Sequence, residues 1–339
     1  MAKKKKQKVD DFFASMNMQN PPRPRHINWY IRNADETSNP KYTILGYEFT
    51  MSEEVDSFGV TEGPDPNYNF RACLLPEENA YWVSRDFSGQ ELRILTNLAN
   101  EPIWVNTFLS GGDIHGETAK LLWGEENFSV DLRKRAKAIN FGIVYGIGPV
   151  GLSKRLNITR EEAQLYIDKY FEKLPNIEAY LNNNVKIASR NMSLSNYYGR
   201  PRRFSKYKNN YGSGISSRGE NIAYNFPIQS LGADITKLAL IKVYYNIIDN
   251  PKYIGKVYFL NTIHDEINLS VDKDIVEEVV YLMGQEMEHN IPGTKVPIIS
   301  EIAVGNSMGL LFDFEQDLET KKLTPIYKPI ERSIEDLPF

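Results

Sequence analysis

Cysteine, long apolar runs and net positive charge are what this sequence has least of. Its 339 residues include one cysteine, Cys73, which excludes an internal disulfide framework, and no Cys/His cluster has the spacing of a zinc site. No apolar run approaches the roughly 20 residues of a membrane-spanning helix. The N-terminal stretch "MAKKKKQK" lacks the apolar segment of a secretory signal. These absences argue against disulfide scaffolds, zinc modules and membrane proteins, so we expect a soluble, cytoplasmic protein.

The charge balance gives no overall sign of nucleic-acid binding. Lys and Arg number 40 against 44 Asp and Glu, a formal net charge of −4. Basic residues are instead clustered, at 133–137 ("RKRAK") and at 199–208 ("GRPRRFSKYK"). Such clusters are more often solvated surface than binding sites, so they need independent support. With 41% hydrophobic residues, the chain can bury one large core or two medium ones.

Pro, Gly and Asn content divides the chain into three zones. Residues 1–70 are rich in these residues, which favours loops and short strands over helix. Residues 313–339 are charged and contain proline, which favours an extended tail. Between these zones we predict strands near 80–85 and 297–304, a strand–turn–strand at 256–272, a hairpin around "YYGRPRRF", and helices at 90–99, 115–123, 131–146, 159–173, 176–191, 214–226, 228–249 and 274–289.

Local signals predict where several of these helices end. Asp131 is a candidate N-cap and Gly146 a stop for the helix at 131–146. Thr159 begins "TREE", the pattern of a capping box. Pro227 is predicted to divide the stretch 214–249 into two helices, because proline lacks the backbone N–H that a helix interior needs.

Two aspartates follow apolar strand segments at widely separated places. Asp86 comes after the segment "AYWVS", and Asp265 lies in the polar turn "HDE". Either residue alone is ordinary in a turn. Together they suggest adjacent strands that present two carboxylates to one point, where charges ~4 Å apart would repel by roughly 4 kcal/mol at an effective dielectric of about 20. Divalent cations with oxygen ligands would offset that repulsion and suit phosphoryl transfer.

One predicted helix carries candidate ligands at a spacing of four residues, namely Arg133, Lys137, Phe141 and Tyr145. On a helix they form one slowly drifting stripe about 18 Å long. Two cations followed by two rings would suit a nucleoside triphosphate, with the charges on the phosphates and the rings against the base. The same spacing describes an amphipathic helix with a basic rim and an aromatic edge, and spacing alone favours that second interpretation.

Six segments, in order, resemble a known family. "DFSGQELRIL", "RKRAKAINFGIVYG" and "HDE" closely resemble motifs A, B and C of the family A DNA polymerases, the DNA polymerase I group. "GGDIHGETA", "GRPRRF" and "NFPIQSLGADITKLAL" also resemble palm and fingers segments of that family. The resemblance covers about residues 70–312. It implies an α+β fold, with a palm built of an antiparallel sheet and helices, and with helical fingers.

The resemblance implies a division of the chain and a reaction. Residues 71–110 would form the first part of the palm, 111–212 the fingers and basic hairpin, and 213–312 the second part of the palm, between an N-terminal arm (1–70) and a tail (313–339). The implied reaction is template-directed DNA synthesis, in which a dNTP is joined to the 3′-OH of a primer on primer–template DNA. Its cofactors would be two Mg²⁺ ions, for which Mn²⁺ can substitute.

The resemblance also implies roles for single residues, position by position. The implied metal ligands are Asp86, Asp265 and the Phe87 carbonyl, and Lys137 joins the two aspartates as a catalytic residue that supplies the acid for the leaving pyrophosphate. The implied dNTP-binding residues are His115, Arg133, Lys137, Phe141, Tyr145 and Glu91, of which Glu91 blocks a ribose 2′-OH. The implied DNA-binding residues are Arg71, Arg200, Arg202, Arg203, Asn225, Gln229, His264 and Glu266.

The chain departs from the family pattern in three places. Motif A usually has Gln-Ile before its glutamate, whereas this chain has Gly89-Gln90, which puts the strictness of sugar selection in doubt. The family's Thr-Gly-Arg-Leu-Ser run is missing from 59–71, which keeps only Pro66-Asn67. The family carries a thumb and an exonuclease domain upstream, where this chain has about 70 residues. We therefore expect neither domain in this chain, and no proofreading activity of its own.

The sequence leaves two alternatives open. A single-subunit RNA polymerase shares the palm and fingers, and a degenerate subunit could bind DNA without catalysis. Glu91, the segment "INFGIVYG" and Glu266 fit the DNA enzymes better than the RNA polymerases. The intact Asp86 and Asp265 argue against a non-catalytic subunit.

The predicted absence of a thumb suggests protein partners. A reduced or split, virus-like form of the enzyme predicts a second chain that carries the thumb, the exonuclease or both. The segments 8–15 ("KVDDFFAS") and 333–339 ("SIEDLPF") have the apolar anchors of short peptides that dock on sliding clamps. Aromatic residues typical of interfaces occur in the N-terminal arm, at Phe12, Phe13, Trp29, Tyr30 and Tyr47.

Overall fold

The structure is a computed structural model that describes residues 41–50, 70–209, 214–288 and 291–326. The chain divides into two compact units. The first, which we call the sheet unit, contains the described residues up to Asp86, Leu240–Met287 and those from Ser300 onward. The second, the helical unit, contains Phe87–Ala239 and the described part of Glu288–Ile299. Across the described ranges, no helix is long and apolar enough to cross a membrane.

Strands and helices are both abundant, so the predicted α+β class is confirmed. The strands are β1 (Lys41–Ile44), β2 (Tyr47–Thr50), β3 (Ala80–Phe87), β4 (Ser193–Ser195), β5 (Pro201–Arg203), β6 (Val257–Ile263), β7 (Glu266–Asp272), β8 (Ser300–Ser307), β9 (Leu310–Gln316) and β10 (Leu323–Pro325). The α-helices are α1 (Gln90–Ala99), α2 (Pro102–Leu109), α3 (Ile114–Trp123), α4 (Val130–Val144), α5 (Pro149–Leu156), α6 (Arg160–Lys173), α7 (Pro175–Asn191), α8 (Ser217–Val243) and α9 (Val276–Met287).

The sheet unit is built on six strands in the order β10-β9-β8-β3-β7-β6. Strand β3 lies inside the sheet and reads "AYWVSRDF", and seven of its eight residues are buried. It pairs antiparallel with β7, which in turn pairs antiparallel with β6. Helix α9 packs on β7 and β8 through a buried apolar face that includes Val279, Val280 and Met283. Burial of this face and of the β-branched strand residues stabilises the unit.

One charged residue of β3 is buried beneath this sheet. Arg85 is 6% exposed, and its Nη1 donates a hydrogen bond of 2.9 Å to the carbonyl of Val280 in α9. Room for the guanidinium exists because residue 284 is glycine, since a Cβ there would lie 2.0 Å from Nη1. The strand therefore alternates a buried Arg85 with an exposed Asp86, on opposite faces of the sheet.

The helices of the helical unit pack around a core of side chains that are fully buried or nearly so, among them Trp104, Leu122, Ile139, Leu152 and Tyr170. Helix α3 packs on α4 and α6, α4 on α5, and α1 on α4 and α7. The hairpin β4–β5 pairs Leu194 with Arg202 and follows α7 directly. The long helix α8 begins in this unit and runs on into the sheet unit.

Several predicted elements agree with the structure. The strand near 80–85, the helix at 90–99, the hairpin around "YYGRPRRF" and the strand–turn–strand at 256–272 are all present. The capping box is confirmed, because Thr159 Oγ accepts from the Glu162 N–H and the Glu162 carboxylate accepts from the Thr159 N–H. Gly146 follows the end of α4 with φ +67°, as a helix stop requires.

Three predictions about elements are wrong. The N-cap of α4 is Ser129, whose Oγ accepts from the Leu132 N–H at 3.2 Å, while Asp131 lies in the first turn and pairs with Arg135. Pro227 does not divide the helix, because α8 continues through it. Residues 313–326 are not a simple extended tail, since β9 and β10 complete one side of the sheet.

Some predicted features lie outside the described residues. These are Pro66-Asn67, the aromatic residues Phe12, Phe13, Trp29 and Tyr30, and both segments compared with clamp-binding peptides. Tyr47 is described, and its hydroxyl donates to the Leu323 carbonyl at 3.0 Å within the sheet unit.

Candidate active site

The two predicted metal ligands lie at the same end of neighbouring strands. In the β3–β7 ladder, Asp86 pairs with Glu266. In the β6–β7 ladder, Ile263 pairs with Glu266, so His264 and Asp265 form a two-residue turn. Asp265 therefore comes immediately before Glu266, the residue that pairs with Asp86. The sequence prediction that adjacent strands bring two carboxylates together agrees with this register.

The local backbone explains how these carboxylates are presented. Asp86 is the exposed residue of a strand that is otherwise buried. His264 has φ +55°, in the left-handed region that histidine tolerates better than most residues, and this conformation tightens the turn. Burial raises the pKa of Asp265, and the charge of Glu266 raises it further, while a hydrogen bond from its own backbone and the nearby His264 lower it. An ionised Asp265 therefore gains from a cation beside it.

A cavity of about 460 Å³ in the sheet unit is lined by three predicted site residues, Arg71, Asp86 and Glu266. The Glu266 carboxylate is held in place, because the buried Ser84 hydroxyl donates to its Oε1 at 2.6 Å. Glu301 and Asp313 also line this cavity, and sequence reasoning did not single them out. Glu301 lies on β8 and Asp313 lies on β9. Asp313 was missed because the sequence prediction did not include β9.

The chemistry of these oxygens fits a hard divalent cation. Asp86 and Asp265 offer carboxylates, and Phe87, which follows Asp86 directly, offers a main-chain carbonyl. Mg²⁺ is usually held by one or two carboxylates and completes its shell with water and substrate phosphates. In the part of the chain that the structure describes, no group of three or more His, Cys, Asp or Glu side chains could hold a metal ion. The donor set therefore fits a cation shared with a substrate, and does not fit an all-protein cage.

In the helical unit, α3 and α4 bring together the predicted phosphate ligands. Asp113 caps α3 by accepting from the N–H groups of His115 and Gly116, and also accepts from Arg133 at 2.5 and 3.1 Å. Burial alone would raise the pKa of Asp113, but the hydrogen bond and charge of Arg133 and the two backbone N–H groups outweigh it and lower the pKa. Asp113 thus holds the Arg133 guanidinium at the start of α3.

His115 lies between this ion pair and the aromatic end of the stripe. Its ring centroid is 5.8 Å from that of Phe141, and its Nδ1 is 3.0 Å from Nδ2 of Asn140. Burial lowers the pKa of His115 to about 4, Asp113 opposes that shift, and Lys137 and Arg133 add to it. The structure thus places His115, Arg133, Lys137 and Phe141 in one neighbourhood.

The predicted sugar gate contacts the aromatic end of the same stripe. The Tyr145 hydroxyl lies 3.0 and 3.2 Å from the two carboxylate oxygens of Glu91 and donates to them. Glu91 lies in the first turn of α1, whose N-cap is Gly89 with φ +58°. Gln90 does not point into this contact, because its buried side chain donates to Thr236 Oγ1 at 3.3 Å. The departure Gly89-Gln90 therefore sets the start of α1 and its packing on α8.

A second cavity, of about 530 Å³, is lined by four of the predicted dNTP and DNA ligands, Tyr145, Arg202, Asn225 and Gln229. Arg202 lies over the Phe226 ring, 5.6 Å from its centroid, which steadies the guanidinium beside the cavity. An open surface with aromatic and cationic side chains suits stacked, negatively charged nucleotides.

Two basic residues of the hairpin segment are placed differently from Arg202. The Arg200 guanidinium forms a bidentate ion pair with Asp234 of α8, with Nη2 2.5 Å from Oδ1, and Asn196 donates to the same carboxylate at 2.8 Å. Arg203 is exposed on β5 and is not among the residues that line the second cavity. Asp234 and Asn196 were missed because their contacts join residues 34 and 38 positions apart in the sequence.

Comparison with known proteins agrees with this arrangement. The sequence model of DNA polymerase family A matches residues 63–309. DNA polymerase I of Caldicellulosiruptor bescii is 37% identical over 69% of this chain and 27% of its own length. The thermostable DNA polymerases I of Thermus aquaticus and Thermus thermophilus are 32% and 30% identical over 69% and 82% of this chain. The chain spans 28% and 34% of those two relatives.

A solved structure supports the same relationship. The polymerase domain of Pol1 from M. smegmatis, in complex with DNA primer-template and dNTP, is similar with a TM-score of 0.65 and 26% identity. The similarity covers 78% of this chain and 46% of that one. The family match spans more than half of the chain and includes all six quoted segments, so the resemblance expected from the sequence is confirmed. The chain belongs to DNA polymerase family A.

Proposed function

We propose that this chain catalyses template-directed DNA synthesis by transferring the nucleotidyl group of a dNTP to the 3′-OH of a primer. The observation that carries the proposal is the β3–β7 register, which places Asp86 and Asp265 at one end of two adjacent strands. Membership of DNA polymerase family A supports it, as does similarity to a polymerase domain solved with DNA primer-template and dNTP.

We assign metal binding to Asp86, Asp265 and the Phe87 carbonyl. Bound Mg²⁺ ions, or Mn²⁺ in their place, would neutralise phosphate charge and stabilise the attacking and leaving oxygens of the transfer. The chain's own contribution is to present two carboxylates at the same end of two adjacent strands of the sheet. Strand β3 is fixed by buried apolar residues on both sides of Asp86, and the tight turn at His264 limits how far Asp265 can move.

We assign dNTP binding to the helical unit. Arg133 and Lys137 carry positive charges for the triphosphate, and His115 and Phe141 lie beside them. Lys137 is exposed and can donate a proton to the leaving pyrophosphate. Glu91, held by Tyr145, would exclude a ribose 2′-OH. The ion pair with Asp113 keeps the Arg133 side chain in place before a nucleotide arrives.

We assign primer and template binding to residues of both units, taken separately. In the helical unit, Arg202, Asn225 and Gln229 line the second cavity. Arg203, the residue after Arg202, is exposed. In the sheet unit, Arg71 and Glu266 line the cavity that contains Asp86, and His264 is exposed in the turn before Asp265. Arg200 supports the hairpin through Asp234 in addition to any phosphate contact.

The test is primer extension by the purified chain, with Mg²⁺, and with dNTP or NTP as substrate. We expect extension with dNTP, and its loss in Asp86→Asn and Asp265→Asn with the fold retained. Asp274→Asn is the matched control, because Asp274 is an exposed carboxylate of the same unit outside the site. Extension with NTP alone would assign the chain to RNA synthesis, and DNA binding without extension would make it a non-catalytic subunit. Either result would overturn the proposal.

We also propose that the chain itself removes no nucleotide from the primer end. This is supported by the family match, which assigns residues 63–309 to the model of DNA polymerase family A. The measurement is the length of a labelled 3′ end incubated with Mg²⁺ and without dNTP. Shortening that persists in Asp86→Asn would show a separate nuclease site.

The palm and fingers boundaries at 71–110, 111–212 and 213–312 remain proposals, as do the protein partners. A second chain with a thumb or an exonuclease, and a sliding clamp, are predicted mainly from residues outside the described ranges. Primer extension with and without candidate partner proteins would test them. A large gain in product length with one partner would identify it.

A further inference from the structure

Asn140 occupies an unusual position for a polar residue. It lies in α4, faces α3 and is 0% exposed. Its Nδ2 donates to Thr118 Oγ1 at 3.1 Å and lies 3.0 Å from Nδ1 of His115. Its Oδ1 is buried and has no hydrogen-bond partner among the described residues. A buried amide kept with half of its bonding capacity unused indicates a role other than stability.

The direction in which the Asn140 amide points follows from its neighbour. The Thr118 hydroxyl spends its only hydrogen on the Ile114 carbonyl, at 2.9 Å. Thr118 Oγ1 can therefore only accept a hydrogen bond from Asn140. If the amide were turned over, Asn140 Oδ1 would face a lone pair of Thr118. Asn140 must therefore present its N–H₂ group to both Thr118 and His115.

This orientation determines the state of the imidazole. An Nδ1 that accepts from an N–H₂ group carries no hydrogen itself, so the hydrogen of the neutral ring is on Nε2. We propose that Asn140, oriented by Thr118, is a positioning residue that keeps His115 as the neutral Nε2–H tautomer. Nε2 has no hydrogen-bond partner within the described residues, so its N–H is left to donate to a ligand oxygen.

Burial acts in the same sense, since it is the largest cause that lowers the pKa of His115. Asp113 on its own helix favours the imidazolium, whereas Arg133 and Lys137 on α4 disfavour it. Protonation of Nδ1 would also set two N–H groups of His115 and Asn140 against each other. His115 is therefore an uncharged donor beside two cations, and its charge stays constant between about pH 5 and 8.

The identity of the ligand that would accept from Nε2–H rests on the proposed function, whereas the proposed tautomer of His115 does not depend on it. An anionic oxygen of a triphosphate is the acceptor that Arg133 and Lys137 would bring beside it. A neutral histidine donates to that oxygen without adding to the repulsion between the two cations. Binding of the triphosphate should then show no step that corresponds to ionisation of a histidine.

The tautomer can be measured without any activity. The sequence has four histidines, so the ring nitrogens of His115 can be assigned in ¹⁵N-histidine-labelled protein by comparison with His115→Gln. We expect Nδ1 to show the shift of an unprotonated nitrogen, and Nε2 that of a protonated one, at neutral pH. A protonated Nδ1 in the wild-type protein would overturn the proposal, whether or not the chain synthesises DNA.

Two variants test the positioning role. Asn140→Asp presents acceptors only, so it should move the hydrogen to Nδ1, and dATP affinity should fall on the order of tenfold at about pH 8 and recover as the pH is lowered. Thr118→Val removes the group that orients Asn140 with little change of shape, and should leave a mixture of tautomers and a smaller loss of affinity. Thr118→Val also tests the positioning role on its own if the Asn140→Asp protein does not fold.

Thr96→Val is the matched control for Thr118→Val. Thr96 is 0% exposed, and its hydroxyl also donates to the carbonyl four residues earlier, at 2.7 Å, but it has no counterpart of Asn140. We expect Thr96→Val to leave the His115 nitrogen shifts and dATP affinity unchanged. Equal effects of the two Thr→Val variants would reduce Thr118 to a packing role and overturn the proposal. Failure of the wild-type protein to bind dATP, with the expected tautomer present, would count against the proposed function only.

Discussion

At the scale of single residues, the site residues work against local stability. A carboxylate that is partly removed from water, with a second carboxylate nearby, favours its neutral form. Asp265 is in this position, since burial raises its pKa and Glu266 raises it further. The turn that presents it also holds His264 in the left-handed region. Such costs persist where the surrounding structure enforces them and a ligand can relieve them.

We expect Asp265→Asn to raise the free energy of unfolding of the metal-free protein at neutral pH, because asparagine carries no charge to desolvate. Addition of Mg²⁺ should stabilise the wild-type protein and leave Asp265→Asn unchanged. Thermal unfolding with and without Mg²⁺ measures both effects, with Asp274→Asn as the control. An Asp265→Asn protein that is less stable than wild type without metal would contradict the assignment.

His115 predicts how stability depends on pH. Its pKa in the folded protein is about 4, below the ordinary value of 6.5, so the unfolded chain binds a proton more readily between these values. The free energy of unfolding should therefore fall as the pH falls from about 6.5 to 4. His115→Gln should make this decline shallower, and above about pH 7 the two curves should run parallel. Urea unfolding across this range measures it, and identical slopes would contradict the prediction.

At the scale of elements, the sequence predicted structure well wherever the signal was local. The capping box at Thr159 and the apolar spacing of α1 depend on residues within one or two turns of helix. The prediction that Pro227 divides the helix was wrong because tertiary packing, and not local helix propensity, decides whether α8 continues. Its missing hydrogen bond costs about 3 kcal/mol, and α8 offsets that through residues buried on both sides of it, Ala223, Ile228, Leu231 and Ile235.

Strands β9 and β10 show two different reasons for a missed element. The run "FDFE" in β9 alternates apolar and charged residues, so its signal was present in the sequence. Strand β10 reads "LTP" and is too short to give a pattern. Pro325 is tolerated there because β10 lies at the edge of the sheet, where one side of the strand needs no ladder hydrogen bonds. The hydrogen-bond chain through Asn140 was likewise beyond prediction, because it joins two helices.

The packing of α9 on the sheet predicts that Gly284 cannot be replaced by a larger residue without loss of stability. A Cβ at residue 284 would lie 2.0 Å from Nη1 of the buried Arg85, which is already fixed by the Val280 carbonyl. We expect Gly284→Ala to lower the free energy of unfolding by about 1–3 kcal/mol through overpacking. Chemical denaturation measures the change, and a Gly284→Ala protein as stable as the wild type would contradict this packing.

At the scale of the whole molecule, a chain of net charge −4 would have to bind the proposed DNA substrate through local clusters of positive charge. Neutralised phosphates release counterions, so each lost contact reduces the dependence of affinity on salt. The hairpin segment supplies three arginines with different surroundings. Arg202 lines a cavity, Arg203 is exposed, and Arg200 is paired with Asp234, whose side chain is 9% exposed. One basic cluster in the sequence therefore divides into two proposed DNA ligands and a structural ion pair.

We expect Arg203→Ala to weaken binding of a primer–template duplex, to reduce the salt slope by about 1, and to leave the free energy of unfolding unchanged. Arg200→Ala should instead lower the free energy of unfolding, because the Asp234 carboxylate, which is largely removed from water, loses its charged partner. Asp234→Asn should reproduce the loss of stability without reducing the salt slope, which separates the two roles of the cluster. Dissociation constants over a salt series, measured beside urea unfolding, test all three variants. If Arg200→Ala and Arg203→Ala behaved alike in both measurements, the ion pair with Asp234 would have no separate structural role.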